Sequence, residues 1–438
     1  MAFKKIARLS SLRWVNLNIP HAELNIDISL QMGQCFNWKI IDTGTNGKVY
    51  IGHVPGISCS PVALKRTDES TFFALIAEAA VDAEPHSSGR GVKRESKKKS
   101  SGPSDVEAVN LMKSYFQMDY SLSECYGQWS ENCPRMKVIA AHLVGARVCR
   151  QDPWECLISF ICSSNNNIKR ITQILERFRT SFGQYMCTFV MDDPNPNGAT
   201  EFGSGAEFAM YSFPTIDALL AQDPASPVAS VARDFTTAFL QEHIGLGYRA
   251  KFIHNTVHQL AALGGSTTPA STGANAWFES IRRAPLAEWG GTGVDGQATR
   301  RRAQDELARL PGVGRKVADC VALFCLDHAD VVPVDVHVYN IAVRDYMRDS
   351  PADGDSLVLT LDARLYARIG DTFRAKFGPY AGFAHSLLFA AELPQFADSL
   401  PVDVVLQMRD FKVAKAAELK QLKQVKADAR KRKHEGTT

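Results

Sequence analysis

The section from Ala298 to Leu326 constrains the fold of this 438-residue chain more than any other. Residues 298–309 (ATRRRAQDELAR) are strong helix formers, and residues 315–326 (RKVADCVALFCL) make a second, largely apolar helix candidate. Between them, LPGVG (310–314) stops the first helix at Pro311, and its two glycines permit positive φ in a tight turn. The sequence therefore predicts a helical hairpin whose turn exposes backbone N–H groups beside a helix N-terminus.

Such a turn is suited to bind an anion, because exposed N–H groups and the helix dipole both favour negative charge. An ordinary helical hairpin with a glycine turn is the alternative. The full string LPGVGRK (310–316) is typical of the helix-hairpin-helix motif, in which the N–H groups hold a DNA phosphate. Such a contact positions a protein on DNA without reading the base sequence.

Lys316 lies in the first turn of the second helix, where a positive charge is disfavoured by roughly 0.3–1 kcal/mol. We expect this position to lower the pKa of its amine toward a nucleophilic neutral form, although a solvated surface lysine is the alternative. Nineteen residues on, VVPVDVH (331–337) is predicted to place Asp335 at the N-cap of a helix, Val336 to Tyr346, within apolar walls. A nucleophilic amine and a fixed carboxylate on adjoining helices suit attack at a sugar C1′, then Schiff-base formation and β-elimination of the 3′ phosphate.

The distribution of charge and cysteine narrows the class of protein. The net charge is +3, but residues 90–99 carry +5 and residues 409–438 carry +6, so the remainder carries −8. A folded part with net negative charge is expected to bind nucleic acid through a few specifically positioned side chains and N–H groups. The basic segments would add non-specific electrostatic attraction. The ten scattered cysteines fit reduced, buried thiols of an intracellular protein. No cysteine follows Cys325, which excludes an iron–sulfur loop near the C-terminus.

The predicted fold class is α+β, with three segments along the chain. Residues 1–135 are predicted to form an N-terminal α+β domain with an antiparallel β-sheet, interrupted by a disordered basic insertion at 84–105. Residues 136–396 are predicted to form an all-α helix-hairpin-helix catalytic domain. Residues 397–438 are predicted to form a basic helical tail with a disordered end, whose first half docks through a partial apolar stripe.

Several shorter patterns predict individual elements. LNIDISL (24–30) alternates with the period of a strand, and residues 192–206 and 264–276 have the composition of loops. Apolar residues recur at helical spacing in four further segments: Met136–Val148, Trp154–Cys162, Ile168–Phe182 and Ile253–Leu263.

Two motifs, LPGVGRKVADC (310–320) and VPVDVH (332–337), resemble the helix-hairpin-helix, Gly/Pro-rich loop and catalytic Asp of the DNA glycosylase superfamily. In detail the chain resembles the eukaryotic 8-oxoguanine DNA glycosylase/AP lyases over roughly residues 10–396. The supporting segments are GQCFNW (33–38), YFQMD (115–119), RQDPWECLISFICSSNNNIKRI (150–171), GLGYRA (245–250) and GPYAGFAHSLLFAAEL (378–393). The resemblance implies a bifunctional base-excision repair enzyme that excises 8-oxoguanine paired with C.

The resemblance also implies roles for single residues. Lys316 resembles the Schiff-base nucleophile, and Asp335 resembles the catalytic carboxylate. The implied phosphate contacts are the backbone at Gly312, Gly314 and Val317 and the side chain of His337.

Four further residues match those that open the duplex and read the opposite strand. Asn165 and Tyr248 resemble the plug and wedge that fill the stack after base flipping. Asn165 could alternatively cap a helix, and Tyr248 could pack in the core, although the glycines before it favour an exposed turn. Arg170 and Arg249 resemble the pair that reads the widowed cytosine, the base left unpaired when 8-oxoguanine is flipped out.

The sequence departs from the family pattern at two positions, one of them in the implied lesion pocket. Phe389 and Cys320 resemble the residues that sandwich the flipped base, and the Gly33 carbonyl resembles the acceptor for the N7–H that distinguishes 8-oxoguanine from guanine. His385 stands where the family usually has Gln, so one acceptor nitrogen replaces an amide at the Watson–Crick edge. Near the phosphate-contacting His337, Glu392 stands where the family usually has Asp, so the side chain is one methylene longer.

Two other functions remain as alternatives. A monofunctional alkylbase or adenine glycosylase shares this fold, but Lys316 disfavours the first and the missing cysteine cluster disfavours the usual form of the second. A non-catalytic helix-hairpin-helix DNA-binding module would need neither Lys316 nor Asp335.

The predicted partner is damaged double-stranded DNA, bound by a monomer whose chemistry needs no metal and no organic cofactor. No membrane partner is predicted, because no apolar run approaches the ~20 residues that span a bilayer. The basic runs at 90–99 and 430–433 indicate a nuclear protein. The N-terminal 14 residues carry four basic residues, and no acid precedes Glu23, which also fits mitochondrial import.

Overall fold

The computed structural model describes residues 5–42, 47–57, 60–79, 81–82, 102–190, 207–223, 235–263, 269–283, 293–347 and 356–435. The strands are β1 (Lys5–Arg8), β2 (Val15–Asn16), β3 (Lys39–Asp42), β4 (Lys48–Gly52), β5 (Val62–Arg66), β6 (Thr71–Leu75), β7 (Val81–Asp82), β8 (Tyr185–Val190) and β9 (Glu207–Tyr211). The helices are α1 (Ile26–Ser29), α2 (Ile76–Ala79), α3 (Asp105–Tyr115), α4 (Leu122–Asn132), α5 (Pro134–His142), α6 (Pro153–Ser163), α7 (Ile168–Phe182), α8 (Ile216–Leu220), α9 (Thr237–Glu242), α10 (Arg249–Leu263), α11 (Ala270–Ile281), α12 (Gly293–Ala308), α13 (Arg315–Cys325), α14 (Val336–Asp345), α15 (Ala363–Phe377), α16 (Ala381–Ala391) and α17 (Val402–Glu435).

The chain forms two compact units. The first comprises Met1–Leu122 and Gly145–His328, and the second comprises Ser123–Val144 and Ala329–Thr438. The hairpin formed by α12 and α13 belongs to the first unit, whereas α14 belongs to the second. The three-segment division with boundaries after residues 135 and 396 stays a prediction.

The first unit contains two β-sheets. The larger sheet has the order β2-β6-β5-β4-β3, and all its neighbouring strands are antiparallel. The smaller sheet has the order β7-β1-β8-β9, in which β1 pairs parallel to β8. The predicted α+β class with an N-terminal antiparallel sheet is therefore confirmed. The rest of the chain is mostly rather than entirely helical, because β8 and β9 add to the smaller sheet.

The hairpin helices and the helices around them match the predictions closely. The predictions for 154–162, 168–182, 298–309 and 315–326 correspond to α6, α7, α12 and α13. The helix predicted for 136–148 ends earlier, at His142. The chain turns at Gly145 (φ +80°), where a Cβ atom would lie 2.4 Å from the His21 carbonyl oxygen.

Two predictions in the first unit are wrong, and both errors come from polar caps. Residues 24–30 contain helix α1 rather than a strand, because the Asn25 side chain accepts a hydrogen bond from the Asp27 N–H (3.0 Å). Part of the loop predicted at 264–276 is helix α11. The Asp217 carboxylate caps its start by accepting from the N–H groups of Ala270 (2.8 Å) and Ser271 (3.1 Å).

Two predicted insertions lie largely outside the described residues. The described part of the 84–105 segment begins at residue 102, where Ser104 forms a capping box with Glu107 at the start of α3. The predicted loop at 192–206 lies wholly outside the described residues.

The tail forms one long helix, α17, in the second unit. Among the side chains of α17 whose burial is described, Val404, Met408 and Phe411 are buried, whereas Leu419 and Leu422 are exposed. The predicted docking of its first half is confirmed. None of the described helices combines the length and apolarity needed to cross a bilayer.

Candidate active site

The hairpin turn uses its two glycines differently. Gly312 has φ +78°, and the Val313 N–H donates to the Leu310 carbonyl (3.1 Å) to close the turn. A Cβ atom at Gly312 would also lie 2.7 Å from the Phe252 ring. Gly314 instead has extended backbone (φ −85°, ψ 177°), so only Gly312 uses the positive φ that both glycines permit. It is the N-cap of α13, a position that normally has extended backbone.

The start of α13 is open to an anion. The first N–H groups of any helix lack intrahelical acceptors, and among the described residues no side chain caps this N-terminus. Gly314 is exposed, and a Cβ atom there would meet nothing within 4 Å. The fold itself therefore does not require glycine at this position, which leaves space for an approaching group.

Lys316 lies over an aromatic cluster in the first unit. Its half-buried amine is 5.1 Å from the centroid of the Phe160 ring. Phe160 stacks on Phe324 (5.3 Å) and meets the edge of Phe36 (5.8 Å). Cys320, one helical turn after Lys316, is buried. These rings, which the sequence analysis missed, fix the surroundings of the amine.

Gly33 lies on a loop held rigidly by the next residue. Gly33 has φ +78°, and the buried Gln34 side chain donates to the Arg147 carbonyl (2.9 Å) and accepts from the Cys149 N–H (2.9 Å). Three residues after Gly33, Phe36 joins the aromatic cluster beside Lys316. The loop is thus connected to the hairpin through Phe160 of α6, which contacts Phe36 on one side and Phe324 and Lys316 of α13 on the other.

The asparagine turn after α6 places Asn165 in solvent. Asn165 is exposed and has φ +50°, a left-handed conformation that Asn tolerates. Asn167, not Asn165, caps α7 by accepting from the Arg170 N–H (2.9 Å), so the capping alternative for Asn165 is wrong. The exposed Arg170 lines a cleft of about 400 Å³ with Asn167, Lys169, Gln173, Ile174, Arg177 and Gly245.

Tyr248 and Arg249 meet this turn from the start of α10. Tyr248 is 55% exposed, as the glycines before it predict, and its hydroxyl lies 3.4 Å from the Ser164 carbonyl. The buried Arg249 guanidinium lies 4.4 Å from the Tyr248 ring centroid and donates from Nε to the Ser164 carbonyl (3.0 Å). Arg249 therefore braces the asparagine turn, whereas Arg170 is free to face solvent.

Asp335 has the predicted position in the second unit. It is the N-cap of α14, and its Oδ1 accepts from the N–H groups of His337 (2.8 Å) and Val338 (3.0 Å). The side chain is half-buried, and Oδ2 has no hydrogen-bond partner among the described residues. The cap thus fixes the carboxylate through one oxygen.

Phe389 lies beside two imidazoles in the same unit. The His337 ring meets it edge-on at 5.4 Å, and the His337 Nδ1 is buried without a partner in the described structure. The buried His385 ring lies 6.4 Å from Phe389, and its Nδ1 is 3.2 Å from the Gly382 carbonyl oxygen.

Glu392 belongs to an ion-pair cluster in the second unit. Its buried carboxylate lies 2.6 Å from Arg344 and 2.8 Å from Lys412 of α17. Burial alone would raise the pKa of Glu392, but the two cations hold it below its usual value. Its ion-pair partners in the described structure are thus these cations rather than His337.

Comparison with known proteins agrees with the resemblance in the sequence. The family model described as "8-oxoguanine DNA glycosylase, N-terminal domain" matches residues 16–157. An N-glycosylase/DNA lyase OGG1 of Arabidopsis thaliana is 32% identical over 391 residues, 89% of this chain and 83% of the relative. An N-glycosylase/DNA lyase of Saccharomyces cerevisiae is 29% identical over 436 residues, 95% of this chain and 96% of the relative.

A solved structure shows the same fold. The 8-oxoguanine glycosylase/lyase of Clostridium acetobutylicum, in complex with double-stranded DNA containing cytosine opposite 8-oxoguanine, superposes with a TM-score of 0.55. The alignment covers 84% of this chain and 91% of that one at 22% identity, so this likeness supports the fold alone. Since the Arabidopsis relative matches at 32% identity over most of both sequences, the chain belongs to the 8-oxoguanine N-glycosylase/DNA lyase family.

Proposed function

We propose that this chain, acting as a monomer, excises 8-oxoguanine paired with C from duplex DNA and then cleaves the strand. Base-excision repair by a bifunctional glycosylase is the activity of the family to which it belongs. The observation that carries the proposal is the position of Lys316, two residues after the open N-terminus of α13. A phosphate bound at that N-terminus would bring the adjoining sugar toward the amine.

The proposed reaction uses Lys316 as the nucleophile. Its neutral Nζ attacks C1′, the glycosidic bond breaks, and the bonding electrons leave with the base, which takes up a proton. One proton leaves the nitrogen, the C1′–O4′ bond breaks as O4′ takes up a proton, and a protonated imine forms between Nζ and C1′. Removal of a C2′ proton then expels the 3′ phosphate, and water hydrolyses the imine. Asp335 is the proposed carboxylate that stabilises the positive charge that develops at the sugar.

The proposed DNA contacts combine the backbone of the hairpin with side chains around it. The N–H groups at Gly312, Gly314 and Val317 hold a phosphate, and His337 contributes a further phosphate contact. Base flipping leaves a gap in the stack, and the exposed side chains of Asn165 and Tyr248 are available to fill it. The exposed Arg170 reads the widowed cytosine, while Arg249 acts with it and holds the asparagine turn in place.

The proposed lesion contacts are Phe389 and Cys320 on the base faces and the Gly33 carbonyl at N7–H. His385 replaces an amide at the Watson–Crick edge. If its Nδ1 carries the proton and donates to the Gly382 carbonyl, Nε2 is left as an acceptor. The N1–H and amino group of 8-oxoguanine are donors, so this tautomer fits the base.

Covalent trapping tests the function directly. The purified chain is incubated with a duplex containing one 8-oxoguanine opposite C, and sodium borohydride is added to reduce any imine. We expect a protein–DNA adduct whose yield is higher with C than with A opposite the lesion. No adduct should form with undamaged DNA. Binding without an adduct would favour the monofunctional glycosylase or the non-catalytic DNA-binding module.

The two hairpin glycines provide a matched pair of variants. Gly312→Ala should lower the free energy of unfolding by at least roughly 1–2 kcal/mol, because of its positive φ and the contact with Phe252. Gly314→Ala should change it by less than about 0.5 kcal/mol, since its backbone is extended and the space is open. Its methyl group should nevertheless weaken DNA binding about tenfold by displacing a phosphate. Urea unfolding and fluorescence anisotropy measure the two effects; unchanged DNA affinity in Gly314→Ala would place the phosphate elsewhere.

The tail should contribute to the salt dependence of DNA binding through its second half. Residues 423–438 hold six Lys or Arg and two acids. A chain that ends at Leu422 should keep its free energy of unfolding within about 0.5 kcal/mol. Its plot of log affinity against log salt should become shallower by up to about 4 units. An unchanged slope would show that these cations do not contact DNA.

This end point preserves the docked part of α17. Within the second unit Lys415 donates to the Asn340 side chain (2.6 Å), and Glu418 accepts from Ser356 (2.6 Å) and the Leu357 N–H (3.0 Å). Deletion of the whole 409–438 segment would also remove these contacts and the buried Phe411. It would therefore mix a loss of stability with a loss of charge.

We further propose that the protein acts in the nucleus, with the mitochondrion as a second destination. The basic runs at 90–99 and 430–433 and the basic N-terminus support these two destinations respectively. Replacing each run separately with Gln in a fluorescent fusion tests its contribution to localisation.

A further inference from the structure

A cluster of one carboxylate and two imidazoles lies within the first unit, outside the proposed catalytic residues. The His254 Nε2 is 2.9 Å from the Asp223 Oδ2, and the His258 Nε2 is 2.7 Å from the same oxygen. The three candidate ligand atoms all lie within 4.8 Å of one another. The Asp223 side chain is 2% exposed, whereas that of His258 is 35% exposed. A buried carboxylate thus faces two imidazoles at the edge of solvent.

Helix α10 sets this geometry. His254 and His258 are four residues apart, so their side chains leave the same face of the helix, and their ring centroids are 4.8 Å apart. Phe235 stacks on the His254 ring at 5.4 Å and restricts its orientation. Asp223 comes from the turn after α8, which packs against α10. The three candidate ligand residues therefore come from two elements that pack against each other.

The donor set is that of a transition-metal site. Imidazole nitrogens and a carboxylate oxygen suit Zn²⁺ and related first-row divalent cations. Bond lengths near 2.0–2.1 Å would place tetrahedral ligand atoms roughly 3.3 Å apart. The two short N···O distances would have to open by about half an ångström, a small rotation for side chains. The exposed side of His258 leaves access for a water as the fourth ligand.

We propose that Asp223, His254 and His258 bind one first-row divalent cation of the Zn²⁺ type. The cation would link the turn after α8 to α10, the helix that starts at Arg249 and follows Tyr248. The opposite side of α10 contacts the hairpin, since Phe252 lies against Gly312 and the Thr256 hydroxyl donates to the Pro311 carbonyl (3.2 Å). The site is therefore structural, and it would stabilise the helix that directly follows the proposed wedge, Tyr248.

The competing interpretation is a hydrogen-bonded cluster without metal. In that case both imidazoles donate to the carboxylate, which satisfies its buried oxygen. The two interpretations differ in cation affinity, so direct binding of a probe ion separates them.

Cobalt(II) serves as the probe, because its visible absorption reports coordination. The full chain is stripped with chelator and titrated with Co²⁺, and Zn²⁺ is then added to displace it. We expect one equivalent to bind with the intense visible bands of a tetrahedral site, and Zn²⁺ to raise the melting temperature. His258→Gln and Asp223→Asn should each weaken binding at least tenfold. His243→Gln, an exposed histidine outside the cluster, is the matched control and should bind like the wild type.

Several outcomes would overturn the proposal. These are the absence of a Co²⁺ spectrum in the folded wild type, equal affinity in His258→Gln and in the control, or thiolate charge-transfer bands. The last result would assign the metal to cysteines, although all described cysteines are buried. Thermal melts without metal establish that each variant folds, and the partly exposed His258 provides a test if Asp223→Asn does not. None of these readouts needs DNA, so they are independent of the proposed repair activity.

Discussion

Lys316→Gln should abolish the covalent adduct with DNA and slow base excision by at least about 10³-fold. Glutamine keeps a polar side chain of similar reach but has no amine to attack C1′ or form an imine. The Lys316 side chain is half-buried over the Phe160 ring, so the fold should tolerate the change. Borohydride trapping and single-turnover excision of 8-oxoguanine measure the two losses, and a thermal melt checks the fold.

Arg315→Gln is the matched control for this variant. Arg315 is the preceding residue on α13, it is exposed, and its loss removes one positive charge from the same helical turn. We expect weaker DNA binding but a normal yield of adduct at saturating protein. An adduct that persists in Lys316→Gln would show that another amine is the nucleophile and would remove the central role of the hairpin.

The elements that the sequence predicted correctly are those with local signals. The hairpin combines strong helix formers, a Pro-Gly stop and a second apolar helix within about thirty residues. Asp335 follows an apolar extended run and begins a helix, so its capping position was predictable from neighbouring residues alone. Such features depend on few distant contacts.

The error at α1 came from a local cap, Asn25, but the other omissions have the opposite cause. Helix α11 was missed because its cap is Asp217, more than fifty residues earlier in the chain. The aromatic cluster under Lys316 joins Phe36, Phe160 and Phe324, which no sequence period connects. The candidate metal site shows only its two histidines as a local pattern, since Asp223 comes from another element. Long-range contacts of this kind leave no local signal.

A substitution can separate the two functions of Asp335, because a helix cap needs only a side-chain oxygen and a catalytic carboxylate also needs the negative charge. Asn and Asp cap helices about equally well through a side-chain oxygen, whereas Ala loses the cap at a cost of about 1–2 kcal/mol. The capping bonds to His337 and Val338 both use Oδ1, an oxygen that Asn retains. Asn therefore separates the negative charge from the capping function.

Asp335→Asn should keep the free energy of unfolding within about 0.5 kcal/mol and slow excision by about 10²–10³-fold. Asp335→Ala should lose both stability and activity. Asp362→Asn is the matched control, because Asp362 caps α15 in the same unit by accepting from the Leu365 N–H (2.8 Å). Urea unfolding and single-turnover excision give the two quantities for each variant. Full activity in Asp335→Asn would mean that the carboxylate only starts α14, and the charge that stabilises the sugar would have to come from another group.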